Sequence, residues 1–127
     1  MNIVDSSGWL EYFASGPNAQ FFSLPLQNTA ELIVPAITLY EVFKTVLRQR
    51  NESDALQAVA LMMQGAVVDL TANISILAAK ISLEEKMPMA DSIILATARL
   101  YYATIWMQDA DFDGIDGVQY IPKNAGA

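Results

Sequence analysis

The segment Met87-Pro88-Met89-Ala90-Asp91-Ser92-Ile93-Ile94-Leu95-Ala96-Thr97-Ala98 is almost wholly apolar, rich in helix formers, and headed by one carboxylate. Past Asp91, the residues Ile94, Leu95 and Ala98 recur at the spacing of a helix face turned into a core. Pro88 fits just before or at the first turn, where its missing N–H costs nothing. This predicts Asp91 at the end of a buried helix, about where a sheet would present its rim. An Asp in that place also serves as a cap, accepting backbone N–H bonds at the positive end of the helix dipole. Whether it does more depends on which other acids reach the same rim.

The remainder of the chain alternates strands with helices. Asn2-Ile3-Val4-Asp5 reads as a short buried strand ending in an acid, and Ser6-Ser7-Gly8 as a tight polar turn. Trp9 to Phe13 reads as a helix stopped by Gly16-Pro17, and Asn18 to Leu24 as a second one closed by Pro25. Glu31 to Pro35 is the next strand. Thr38 to Arg48 is a helix with Leu39, Val42, Phe43, Val46 and Leu47 on its core side. Asp54 to Gln64 is a further helix, capped by Asn51 or Ser53 and stopped by Gly65. Ala66 to Leu70 is a strand, and Thr71 to Lys86 a helix with Ile74, Leu77, Ala78 and Ile81 inward. After the Asp91 helix come two strands, Thr104 to Met107 and Val118 to Ile121, joined by an acidic loop, and then a tail from Pro122 to Ala127.

Strands alternating with helices imply an α/β fold, a short central parallel sheet of four to five strands flanked by helices. The 127 residues suffice for one domain, 1–127, with a proper core. No apolar run is long enough to span a bilayer and no basic leader precedes an apolar stretch, so the expected location is cytoplasmic.

Composition removes whole classes of chemistry. There is no Cys, hence no disulfide, thiol nucleophile or thiolate metal site, and no His, the commonest general base and transition-metal ligand. Catalysis must come from carboxylates, hydroxyls, Lys, or a metal held by oxygen, and hard oxygen donors select Mg²⁺ or Mn²⁺. The net charge of −7 disfavours broad adhesion to nucleic acid but leaves room for a local basic strip. Lys44, Arg48 and Arg50 are three of only 7 basic residues. Glu41, Lys44 and Arg48 share one helix face, either as a solvated face with an i, i+3 ion pair or as an acid for a metal beside two cations for phosphate.

In a parallel sheet all strand carboxyl ends and the helix starts that follow them lie on one rim. Asp5 ends the first strand, Glu41 lies in the first turns of one helix, Asp91 heads another, and the run from Asp109 follows the fourth strand. Four acids from distant places are therefore expected to converge. Two carboxylates ~5 Å apart repel by about 3 kcal/mol at an effective dielectric of 20. Such a cluster asks for protons or cations, and one or two Mg²⁺ ions would serve. Asp111, Asp113 and Asp116, taken singly, read as solvated turn residues.

Asp5-Ser6-Ser7 after an apolar strand, Leu39-Tyr40-Glu41-Val42, the Met89 to Ala98 segment and Gln108-Asp109-Ala110-Asp111-Phe112 together resemble the four motifs of PIN-domain ribonucleases. Length and motif order are similar to the VapC-type toxins of toxin–antitoxin pairs. The resemblance implies a Mg²⁺- or Mn²⁺-dependent endoribonuclease in which Asp5, Glu41, Asp91 and Asp109 form the acidic quartet. Asp5, Asp91 and Asp109 would bind metal, with Glu41 as a ligand or a water-orienting base. Ser7 is the hydroxyl supporting the first Asp, and Asp111 is a further supporting acid. The family often has Thr two residues before the fourth acid, where this chain has Met107, which leaves open whether Asp109 or Asp111 faces the metal. Lys44 and Arg48 are candidates for RNA contact. The implied partners are an RNA substrate, a cognate antitoxin protein and a second copy in a homodimer, with no membrane.

Two other classes compete. A receiver-like or DxD-type phosphoryl-transfer domain would need paired early acids, a Lys after a late strand, or Asp at position 7; this chain has a lone Asp5, Ser7, and no basic residue between Arg99 and Lys123. A catalytically inactive PIN-like module would act through partners alone, with Trp9, Tyr12 and Phe13 as an exposed interface unless they pack in the core.

Overall fold

The structure, a computed structural model, describes residues 1–123. In chain order the elements are β1 (Asn2–Val4), α1 (Ser6–Phe13), α2 (Ala19–Leu26), β2 (Ile33–Pro35), α3 (Ala36–Gln49), α4 (Glu52–Met62), β3 (Ala66–Val68), α5 (Ala72–Glu85), α6 (Met89–Leu100), β4 (Thr104–Met107) and β5 (Val118–Tyr120). The alternation is the α/β pattern that the strand and helix spacing predicts. The tail after Lys123 lies outside the described residues.

All strand pairs are parallel, β1 with β4, β4 with β5, and β2 with β3. The expected single sheet is divided: β1, β4 and β5 form a three-stranded sheet and β2 and β3 a two-stranded one. A lone parallel bridge, Asn2 with Leu32, joins their edges. The chain leaves β1 toward β2 on one side, and β4 flanks β1 on the other. The carboxyl end of β1 is therefore a topological switch point, the usual place for a ligand in an open α/β sheet.

Successive side chains of the strands enter two separate cores, as the two-residue period of a strand requires. Ile3, Ile33, Ile105 and Met107 pack with Ile74, Ala78 and Ile81 of α5 and with the buried run of α6. Val4 and Val34 pack on the other face with Trp9, Phe22, Val42, Ala58 and Met62 of α1 to α4. Helices thus cover both faces, which is why the strands read as continuous apolar runs. Residues Ser92 to Ala98 of α6 are all buried. Its polar members are satisfied within the helix, Ser92 Oγ donating to the Met89 carbonyl at 2.7 Å and Thr97 Oγ1 to that of Ile93 at 2.8 Å.

Several boundaries differ from expectation for identifiable reasons. The first helix begins at Ser6 because the Asp5 side chain caps it. Gly8 is accordingly a helix residue, and its lack of a Cβ permits close packing: a Cβ there would lie 2.6 Å from Val4 Cγ1 and 2.7 Å from Phe22 Cε1. Pro25 lies inside the last turn of α2, its ring buried, so the helix runs on to Leu26. Trp9 is core, 3% exposed, and Tyr12 and Phe13 are half-buried, so these aromatics do not form an exposed patch. Leu47, assigned to the core side of its helix, is 44% exposed near the end of α3. Among the described residues, no helix is long and apolar enough to cross a membrane.

Candidate active site

Asp5 stands directly after β1, and its backbone N–H still donates to the Trp106 carbonyl at 3.3 Å. The side chain turns back as the cap of α1. Oδ1 accepts from the Gly8 backbone at 3.1 Å, while Oδ2 accepts from Ser7 Oγ at 2.8 Å and the Ser7 backbone at 3.3 Å. Three donors fix the orientation of a carboxylate that is almost wholly buried. Burial pushes its pKa up to about 6; the donors from Ser7 and Gly8 pull it down, and the charge of Asp91 adds to the rise.

Asp91 lies in the first turn of α6, half-buried, where Pro88 occupies the cap position without a side-chain bond. Its carboxyl is also raised to about 6, first by burial and then by the charges of Asp109, Glu41 and Asp111 in that order. Glu41 enters from the second turn of α3 and accepts from Ser6 Oγ at 2.5 Å. Asp109 follows β4, caps the 3₁₀ turn Ala110–Phe112, and accepts from the Asp111 backbone at 3.0 Å. Phe112, fully buried, anchors that turn. Asp5, Glu41, Asp91, Asp109 and Asp111 thus lie in one electrostatic neighbourhood at the rim, reached from four separate stretches of chain. Asp113 and Asp116 are exposed turn residues.

The cluster is open. Among the described residues, no three acids stand close enough together to form a ready-made metal site. Its chemistry nevertheless suits a hard divalent ion: every side-chain donor is an oxygen, and two of the carboxyls are held above their usual range, first by burial and then by the charges of neighbouring acids. A cation entering between them would remove that repulsion.

The basic candidates behave differently. Lys44 is exposed and donates to Tyr40 Oη at 3.4 Å, with its ammonium 5.5 Å from the Tyr40 ring centre. The ion pair that the i, i+3 spacing suggested with Glu41 is not formed; Glu41 is engaged by Ser6 instead. Arg48 is exposed in the last turn of α3. Arg50 pairs with Asp54 at 2.6 Å, across the α3–α4 junction.

Sequence reasoning gave no part to Ser6, Asn18 or Gln108. Ser6 was available as the residue between an acid and a supporting Ser. Asn18 and Gln108 carry no local signal, because they meet across 90 positions. Ser7 and Gln108 line a groove of about 760 Å³ between α1, α3 and α4; Asp5, Glu41, Asp91, Asp109 and Asp111 are not among its lining residues.

The PIN domain family model matches residues 3–118. Among solved structures, a toxin–antitoxin complex from Klebsiella pneumoniae superposes with a TM-score of 0.78 at 22% identity, covering 94% of this chain and 96% of that one. The sarcin–ricin loop cleaving toxin VapC20 of Mycobacterium tuberculosis gives 0.73 at 18%, covering 88% and 92%. The DNA-bound VapBC of Salmonella typhimurium gives 0.73 at 16%, covering 95% and 96%. No curated protein matches the sequence significantly.

Proposed function

Starting from the fact that this chain belongs to the PIN domain family, we propose that it is a Mg²⁺- or Mn²⁺-dependent endoribonuclease, the toxin of a toxin–antitoxin pair. One observation carries the reading: acids from distant stretches of chain are held at the end of β1, Asp5 by Ser7 and Gly8, Glu41 by Ser6, with Asp91 within the charges of Asp109, Glu41 and Asp111. Acids are not gathered in this way for stability, since their repulsion works against the fold. The fold neighbours support the assignment by kind, toxin–antitoxin assemblies and a toxin that cleaves the sarcin–ricin loop among them.

Asp5, Asp91 and Asp109 would hold the ion. When bound, a divalent cation there supplies Lewis acidity, acidifying water and offsetting the charge that grows on the phosphoryl oxygens. The chain's own residues do the rest. Ser7 and Gly8 lock the Asp5 carboxylate in one direction, so it need not be ordered when substrate arrives. Ser6 holds Glu41 toward the cluster, where it serves as a ligand or orients the attacking water. Asp111 supports Asp109 through its backbone N–H. Lys44 and Arg48 lie on the exposed side of α3, available to RNA phosphates.

Hydrolysis by water should leave a 5′-phosphate and a 3′-hydroxyl. The partners proposed with this activity are an RNA substrate, a cognate antitoxin and a second copy of the chain, in the cytoplasm. The openness of the cluster favours one rival reading, an inactive module acting only through partners. Incubating the protein with total cellular RNA and Mg²⁺, then sequencing the new ends, separates the two. Cleavage that disappears with Asp91→Asn supports the nuclease; cleavage without divalent ion that leaves a cyclic phosphate would overturn this mechanism.

A further inference from the structure

We infer that Gln108 is a substrate-contacting residue, its carboxamide turned by Asn18 so that the nitrogen faces the groove and donates to an acceptor oxygen of the bound RNA strand. The inference rests on the nuclease reading and assigns a role to a residue outside the acid cluster.

Asn18 occupies the cap position of α2, where an Asn side chain would ordinarily accept from the helix. It makes no such bond. Its backbone N–H goes to Glu11 Oε2 at 2.8 Å, and its side-chain nitrogen goes to the Pro122 carbonyl at 3.0 Å and to Gln108 Oε1 at 2.9 Å. A local rule is broken so that a side chain only 2% exposed can reach two distant segments.

These contacts form a polarity relay. A proline carbonyl can only accept, so the atom of Asn18 facing Pro122 must be its nitrogen. That nitrogen also faces Gln108, which must therefore present its oxygen. The Gln108 nitrogen, with two N–H donors, is left pointing away from Asn18. It has no partner among the described residues, yet no buried side-chain nitrogen or oxygen among them lacks one. It therefore touches solvent. Gln108 is only 7% exposed, and it lines the groove beside Ser7. A nearly buried amide with a fixed orientation and free donors, one residue before Asp109, suits an oxygen acceptor. On a strand reaching the acids, that acceptor is a phosphate oxygen or a base carbonyl.

The test titrates a labelled single-stranded RNA oligonucleotide into Asp91→Asn protein, which on the proposed mechanism should not cut it, and follows fluorescence anisotropy. Adding Gln108→Met, similar in size but without donors, should weaken binding about tenfold. The factor should be the same at low and high salt, because a contact from a neutral amide is little screened. Asn18→Ala should weaken binding in the same direction by a smaller factor, since Gln108 can then turn. A loss that depends on base identity puts the acceptor on a base; a uniform loss puts it on the backbone. In the chain with Asp91 intact, Gln108→Met should keep any upward melting shift that Mn²⁺ produces. Losing that shift alone would make Gln108 structural and overturn the contact. Equal affinity across the variants, with the unaltered chain cleaving the oligonucleotide, would overturn the inference and leave the nuclease standing. Neither binding nor cleavage by any form would overturn both.

Discussion

Ser6 Oγ donates to Glu41 Oε1 across 2.5 Å, tying the first turn of α1 to the second turn of α3 over 35 positions of sequence. The bond is to a half-buried carboxylate and is charge-assisted, which makes it stronger than a neutral one. Ser6→Ala should cost about 1–2 kcal/mol in urea unfolding. Glu41→Gln in the same background should then add less than it does alone, a coupling of roughly 1 kcal/mol. Strict additivity of the two substitutions would mean that the contact contributes nothing.

Stability should fall as pH rises from about 4 to about 6 in metal-free protein. Asp5 and Asp91 sit at about 6 in the folded chain against an ordinary 3.8. Within that window the folded form binds more protons than the unfolded one, so raising the pH favours unfolding. The contribution is full below the window and gone above it. Asp5 accounts for on the order of 2–3 kcal/mol; Asp91, half open to water, accounts for less. Urea titrations across this range check the sign, and Asp5→Asn should remove most of the slope. A curve that climbs from pH 4 to 6 would show that burial of Asp5 is not the governing effect.

Divalent ions should act in the opposite sense. An ion that binds only the folded chain stabilises it by about 2.7 kcal/mol when present at roughly 100 times its dissociation constant. In a domain of this size that is a rise of about 5–10 °C in melting temperature. The rise should be absent in Asp91→Asn. An equal rise in that variant would place the ion elsewhere.

Gly8→Ala tests how tightly α1 must sit on the sheet. The added Cβ would meet Val4 Cγ1 at 2.6 Å and Phe22 at 2.7 Å, both core groups without room to retreat. Overpacking of this kind should cost about 1–3 kcal/mol in urea unfolding. It should also reduce RNA cleavage, because the Gly8 backbone is one of the donors that orient Asp5. Unchanged stability would mean that the helix can slide outward freely.

The parts of this molecule legible in the sequence are those set by periodicity. Ile3 and Val4, or Ile105 and Trp106, alternate faces because strands do, and an acid after such a strand falls on the rim by topology alone. That is why Asp5 and Asp109, each shortly after a strand, could be expected on one rim before any coordinates; Asp91 heads α6, which follows the helix α5, and strand topology alone does not place it. What could not be read are contacts decided by side-chain reach. Glu41 had one candidate partner in view, Lys44 one turn along its own helix; Ser6 took it instead. Lys44 went to Tyr40. Asn18 lies where a helix cap belongs, and nothing near it suggests that it would serve Gln108 and Pro122 instead. The seam between β1 and β2 is likewise invisible, since strand signals do not tell where a ladder stops.

The choice between Asp109 and Asp111 rests on their different surroundings. Asp109 is half-buried shortly after β4, while Asp111, two residues further on, is exposed. The Asp109 charge also acts on Asp91 more strongly than that of Asp111. Yet the Asp109 carboxylate is partly spent, accepting from the Asp111 backbone at 3.0 Å. Since that bond comes from the backbone, Asp111→Asn leaves it in place and removes only a more distant charge. Asp109→Asn should therefore lower kcat/KM for RNA by on the order of a thousandfold, as removal of a metal-binding group does. Asp111→Asn should lower it only about tenfold, the effect of a supporting group. The measurement is single-turnover cleavage of one oligonucleotide under saturating Mn²⁺. The reverse order of effects would hand the metal-facing position to Asp111 and leave Asp109 as the cap of its turn.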